Sequence, residues 1–282
     1  CIISVDYKPT AVSAADSDTI EISYSDGLVI QSVTRNLTAS AATPALLTIT
    51  DSPSYDFGGV VVNSSEQHTF ILTNTGGVSA TSLLDNALVT VPFTYEGGAY
   101  PGTSGTCTAT LIAGASCDLV VDFDPVTTGL HTASIDLDYN DGATTINLSQ
   151  GLEGTGLSPA NITISEANPY DYGETTILAS TTHTFTLSNI GGGAASAISG
   201  SGLAAPFDFE GGTFPGVSGT CAGTLAPSAT CEVIVIFSPT ITGTFNDTFD
   251  INYNDGAIVQ IASRDIIGEG IDPAVLTISE TN

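Results

Sequence analysis

Apolar side chains recur at every second position along most of this chain. In "HTFILTN" Phe70 and Leu72 alternate with Thr69, Ile71 and Thr73, and in "SIDLDYNDG" Ile135, Leu137 and Tyr139 alternate with Asp136 and Asp138. A period of two places one face of a strand in a core and the other in water. The runs are short, rich in Val, Ile, Thr, Phe and Tyr, and end in turn formers: Asn74-Thr75-Gly76-Gly77, Asn140-Asp141-Gly142, Asn254-Asp255-Gly256 and Ser25-Asp26-Gly27. Asn, Asp and Gly suit such turns because they tolerate positive φ or bond their own backbone. No stretch sustains a 3.6-residue stripe, so the pattern predicts an all-β chain.

The pattern also repeats. "YDFGGVVVNSSEQHTFILTNTGG" from Tyr55 returns as "YDYGETTILASTTHTFTLSNIGG" from Tyr170, 115 positions later, and "GGAYPGTSGTCTATLIAGASCDLVVDFDP" from Gly97 returns from Gly211, 114 positions later. "CIISVDYKP" at Cys1 matches the ends of those units at Cys117 and Cys231. "PAVLTISETN" at Pro273 matches their beginnings at Pro44 and Pro159. The expected organisation is therefore the C-terminal part of one repeat (1–44), two complete repeats (45–158 and 159–272) and the first strand of another (273–282). About seven short strands in roughly 115 residues, with turns every 8–12, predict tandem immunoglobulin-like β-sandwich repeats. Four to six residues containing Pro44, Pro159 or Pro273 separate the units, and the fixed φ of Pro makes the array a row of beads on a semi-rigid rod.

Composition narrows the partners. Of 282 residues 41% are apolar and only 12% charged, so the chain has enough apolar surface for packed cores and a surface dominated by Ser, Thr, Asn and Gly. Three basic residues, Lys8, Arg35 and Arg264, face thirty acidic ones, a formal charge of −27. Nucleic acid and anionic membranes both recruit Lys and Arg, so neither is an expected partner. No apolar run approaches the length of a membrane span, and no charged and apolar leader opens the sequence; any export signal or anchor is expected outside it.

The sequence F-G-x-V, a polar stretch and T-F-x-L-x-N-x-G-G, as in "FGGVVVNSSEQHTFILTNTGG", resembles the first half of ASPM/Hydin-type (ASH) and PapD-like immunoglobulin domains. The continuation C-x3-L-x2-G-x-S-C-x-L-x-V-x-F-x-P from Cys107 resembles the choice-of-anchor D repeats of exported bacterial surface proteins. The resemblance covers both complete repeats and the matching terminal pieces. It implies a spacer, fibre or adhesive stalk and no shared ligand. The second repeat departs from it at "YDYGETTI" from Tyr170 and at "APSATC", which suggests local repacking.

Cysteines and acids supply the remaining chemistry. Cys107 and Cys117 are ten apart, as are Cys221 and Cys231, and the identical spacing favours a structural disulfide in each repeat over a pair of reduced buried thiols. Two thiolates with no nearby His cannot complete a zinc shell. Disulfides place the protein outside a reducing cytosol, on a surface or in the extracellular space. Cys1 matches the second member of each pair, and its partner is expected ahead of it.

"DLDYNDG" mimics a calcium loop but puts Asp141 where the turn Gly must stand, so it reads as a hairpin. Acids after each first strand, Asp51, Glu166 and Glu280, lie near Glu153, Glu269 and Asp272 at the junctions, where Ca²⁺ is an alternative to solvated charge. No other cofactor is expected. His68 and His183 occupy matching strand positions and read as satisfied structural histidines; His131 has Phe245 as its counterpart. No Ser-His-Asp, Cys-His or G-x-S-x-G arrangement is present, so catalysis has no candidate. The sequons at Asn36, Asn63, Asn147, Asn161 and Asn246 permit glycosylation.

The expected function is structural: a segment of an exported bacterial fibre or stalk whose partners are its neighbouring repeats and other copies in a filament. The alternatives are an adhesin, for which Tyr95, Tyr100, Phe209 and Phe214 beside the "EGG" segments would have to be exposed, and a spacer in a large secreted enzyme.

Overall fold

The computed structural model describes residues 2–85 and 91–278; Cys1 and Glu280 lie outside the described residues. Contacts gather into two compact units. One comprises Cys1–Asp56, Gln67–Asp122 and Thr132–Glu153, the other Phe57–Glu66, Phe123–His131 and Gly154–Asn282.

The chain begins with an antiparallel hairpin of β1 (Ser13–Ser25) and β2 (Ile30–Ala41), in register from Asp16↔Ala39 to Ser25↔Ile30. Its turn is closed by the Asp26 carboxylate, whose Oδ1 accepts from Leu28 N at 2.8 Å and Val29 N at 2.9 Å. Residues 2–12 form no strand. Their counterpart from Cys117 runs between two strand neighbours; among the described residues, 2–12 pair with no strand.

The first complete repeat contributes β3 (Leu47–Ile49), β4 (Ser54–Val61), β5 (Glu66–Asn74), β6 (Ala80–Asp85), β7 (Phe93–Tyr95), β8 (Thr110–Leu111), β9 (Ser116–Phe123), β10 (Gly129–Asn140) and β11 (Thr145–Leu157). They form sheets ordered β3-β5-β9-β7 and β4-β11-β10-β6-β8.

The second repeats the plan with β12 (Ile162–Ile164), β13 (Tyr170–Thr176), β14 (Thr181–Asn189), β15 (Ala195–Ser201), β16 (Phe207–Phe209), β17 (Thr224–Leu225), β18 (Thr230–Phe237), β19 (Gly243–Asn254) and β20 (Val259–Ile271). Its sheets are β12-β14-β18-β16 and β13-β20-β19-β15-β17. In this repeat β13 and β20 run parallel, from Tyr170↔Ile266 to Thr176↔Ile271, and the other pairings described are antiparallel.

Among the described residues each complete repeat thus has nine strands where the alternation suggested about seven. The first strand is broken in two: β3 and β12 join one sheet, β4 and β13 the other. The break falls at Asp51 (φ 60°) and Glu166 (φ 75°), whose left-handed backbone turns the chain from one sheet to its mate. A two-residue edge strand, β8 or β17, makes the other addition.

Alternation in the sequence becomes burial in the fold. On β5 Phe70, Leu72 and Asn74 point inward while Ile71 is exposed. In the second repeat the core unites Phe185 and Leu187 of β14 and Val233, Val235 and Phe237 of β18 with Phe249 and Ile251 of β19 and Ile266 of β20. Both sheets thus contribute their inner faces, and each fully buried aromatic or aliphatic side chain stabilises the sandwich by about 1.5–3 kcal/mol. Residues 272–278 form no strand, and Val275, Leu276 and Ile278 are exposed.

Candidate functional site

The most specific polar arrangement in each repeat grows from the Asn of the T-F-x-L-x-N-x-G-G motif. Asn74, at the end of β5, is fully buried. Its Nδ2 donates to Val78 O and Leu111 O, both at 2.9 Å, and its Oδ1 accepts from Gly76 N at 3.0 Å and Leu46 N at 3.3 Å. Asn189 does the same in the second repeat, donating to Gly193 O and Leu225 O and accepting from Gly191 N and Asn161 N. One side chain thereby ties the first strand, the hairpin and the β8 or β17 edge together, with every donor and acceptor used.

The following Gly is dictated by this closeness. A Cβ at Gly76 would lie 2.2 Å from Pro44 O, and one at Gly191 2.1 Å from Pro159 O. Across the same end of the repeat, Tyr139 and Tyr253 hydroxyls each accept from the first strand, at Leu47 N and Ile162 N, both 3.3 Å.

The Asn-Asp-Gly turns are built in one way. Asp141 Oδ1 accepts from Ala143 N at 2.8 Å and Thr144 N at 2.7 Å, and these bonds hold its carboxyl below the ordinary range. Asp255 bonds Ala257 N and Ile258 N alike and adds Gln260 Nε2 at 2.9 Å. Burial opposes its ionisation, yet those donors keep its carboxyl low as well. "DLDYNDG" is therefore a hairpin whose Asp136 and Asp138 bond Ser134 and Asn147 on the strands.

Cys107 and Cys117 are joined, with Cα atoms 4.9 Å apart, as are Cys221 and Cys231 at 4.8 Å; all four are buried. The bridge anchors the segment carrying β8 to the start of β9. Ahead of it, the "EGG" segments form short 3₁₀ turns, and Glu96 Oε2 reaches forward to accept from Ser104 N at 2.6 Å.

The aromatics beside these turns are not the exposed surface that an adhesin would need. Tyr95 and Phe209 are buried and Tyr100 and Phe214 half-buried, each pair meeting edge to face at 5.4 and 5.6 Å. The two repeats fill the space beside these rings differently. Asp85 sits beside the tyrosines in the first repeat. At the matching Gly200 a Cβ would lie 2.4 Å from the Phe214 ring and 2.6 Å from that of Phe209. Burial first, and then the Asp85 charge, push the Tyr100 hydroxyl up to about 12; burial with the same charge raises Tyr95 further.

Two acids read from sequence as junction carboxylates turn instead to histidines. His68 Nε2 lies 3.0 Å from Asp51 Oδ2, and the ring stacks on Tyr55 at 3.7 Å with Phe70 at its edge. His183 lies 3.7 Å from Glu166 Oε1 and stacks on Tyr170 at 3.9 Å. The left-handed turn at Asp51 and Glu166 aims each carboxylate back over β5 or β14, a direction that residue spacing does not reveal. Among the described residues no three His, Cys, Asp or Glu side chains gather as a metal site would require.

These features define a class: tandem, disulfide-closed immunoglobulin-like β-sandwiches, each organised around a fully bonded buried Asn. The chain belongs to the HYDIN/CFA65/VesB-like Ig-like domain family, whose model matches residues 47–151 and 164–263. No curated protein matches the sequence. Among solved structures it is similar to the ASH/PapD-like domain 7 of human CEP192, at 16% identity and TM-score 0.31, covering 41% of this chain and 89% of that one. It is similar to a protein of unknown function from Porphyromonas gingivalis W83, at 11% identity and TM-score 0.30, covering 79% and 99%. Cadherin domains 1–4 of protocadherin gamma B7 align at 8% identity and TM-score 0.41, covering 90% and 58%.

Proposed function

We propose that the chain is a load-bearing segment of an exported fibre or stalk, of the bacterial choice-of-anchor D kind, and performs no catalysis. One observation carries this reading: the first long strand and the last strand of the second repeat, β13 and β20, lie side by side and parallel. Tension applied to the two ends of such a repeat pulls these neighbours past each other. Their hydrogen bonds are then loaded together, in shear, and none can open singly as in a zipper. Ile177 N extends the ladder by donating to Ile271 O at 2.9 Å, and Val62 N donates to Leu157 O at 2.9 Å in the first repeat.

The cystines support the same role. They suit an oxidising compartment, and each removes a ten-residue span from the length that a ruptured repeat releases.

The test is single-molecule stretching of the whole chain between handles. Each complete repeat should rupture in its own force peak, and reduction should lengthen each release by about 30 Å, the reach of the freed span. Ile177→Pro, which deletes one donor of the shear ladder, should lower the peak of the second repeat alone. Extension without peaks, or a rupture force indifferent to Ile177→Pro, would overturn the reading.

A further inference from the structure

Val61 closes β4 and belongs, with the rest of Phe57–Glu66, to the second compact unit, as do Gly193 and Gly256. It is held firmly. Its carbonyl accepts from Ser64 N at 3.0 Å and Ser64 Oγ at 2.6 Å, and the next residues are fixed by Val62 N to Leu157 O and Asn63 N to Pro125 O, both 2.9 Å. Its side chain lies where two glycines leave room. Val61 Cγ2 would be 2.7 Å from a Cβ built on Gly193, and equally 2.7 Å from one built on Gly256. A side chain at either position would collide with it.

The preceding repeat shows what the space is for. There the matching positions are Val78 and Gly142, and Val78 Cγ2 lies 3.1 Å from where a Gly142 Cβ would stand. In that repeat the turn glycine is met from within, by Val78. In the next one, residue 193 has no side chain and the group that meets Gly256 is Val61 of the repeat before. Gly193 has no positive φ that would demand glycine. Its bareness is explained by the incoming valine and not by the backbone.

We propose that Val61 is a plug and Gly193 with Gly256 its socket, so that the residue at 193 decides whether a repeat accepts the end of its predecessor. The partner of this surface is a neighbouring repeat carrying a branched apolar residue at the end of its β4 strand. A repeat with valine at the position of residue 193 fills its own socket and is closed to such a plug. The contact goes beyond the load-bearing reading and holds whether or not the array carries tension.

The test is solution NMR on the whole chain with labelled valine methyls. The wild type should show nuclear Overhauser contacts from the Val61 methyls to the Hα protons of Gly193 and Gly256. Gly193→Val should abolish the contact to Gly256 while the ring-shifted core signals around Phe249 remain. A thiol at Val61→Cys should react at least tenfold faster in the Gly193→Val background than alone. Should Gly193→Val fail to fold, Val61→Ala supplies the same test: Gly256 N, bonded to Asn254 Oδ1 at 2.8 Å, should exchange its hydrogen about tenfold faster. Absence of the wild-type contacts, their persistence in Gly193→Val, or unchanged Gly256 exchange in Val61→Ala would overturn the proposal.

Discussion

Asn74 and Asn189 show how much a single residue organises here. Each satisfies two carbonyls and two amides inside the protein. Asn→Ala at either position removes the partner of those four backbone groups, which are buried or half-buried. A loss of about 2–4 kcal/mol is expected, since each unsatisfied buried group costs about 1–3 kcal/mol and some recover partners. Urea unfolding would measure it, and a loss under 1 kcal/mol would contradict the role.

Asp141 gives a residue-scale prediction in pH. Backbone donors at Thr144 and Ala143 lower its pKa in the folded state. Its contribution to stability is therefore fully present above the unfolded carboxyl value near 3.9, and is lost as pH falls through the depressed folded value. Asp141→Asn keeps an acceptor for both donors but has no charge to titrate. Its urea midpoint should fall less steeply than that of the wild type between about pH 4 and pH 2, a window set by that ordinary carboxyl value. Parallel curves would sink the assignment.

At the scale of elements, the cystines hold the β8 and β17 edges to their sheets. Replacing Cys221 and Cys231 together with Ala should cost the second repeat about 2–3 kcal/mol on the chain-entropy model. For a repeat of this size that corresponds to a melting transition roughly 10 °C lower, visible by calorimetry.

Strand placement was legible because period two is a local signal: Phe70 and Leu72 against Ile71, or Ile135, Leu137 and Tyr139 against their aspartates, declare their faces without reference to the rest of the fold. The repeat and the Asn-Asp-Gly turns were legible for the same reason. The switch of the first strand between sheets was not. It depends on left-handed Asp51 and Glu166, non-glycine residues whose backbone is imposed by the two sheets they join. The same tertiary constraint hid the acid–histidine pairs, and the burial of Tyr95 and Phe209 is set by residues that the fold brings beside them, Asp85 or Gly200 among them. The Asn of the motif was visible as a match, but its four bonds come from segments spread across the repeat.

For the molecule as a whole, a charge of −27 spread over 282 residues means self-repulsion, with only three basic residues to offset it. Salt should relieve that repulsion. Raising ionic strength from about 0.01 M to 0.15 M shortens the Debye length from about 30 Å to 8 Å, and the melting temperatures should rise. A flat response in calorimetry would show that the acids are too dispersed to matter.

Arg264 sits in the middle of β20, opposite Phe249, nearly buried, with its guanidinium donating to Ile164 O. Lys8 and Arg35 are exposed, and no basic residue occurs between Arg35 and Arg264. Trypsin therefore meets a polypeptide whose entire middle offers it nothing to cut, and whose last target is locked in a central strand. Cleavage after Arg264 should appear only when that strand leaves its sheet, which makes digestion a built-in clock for the opening of the second sandwich.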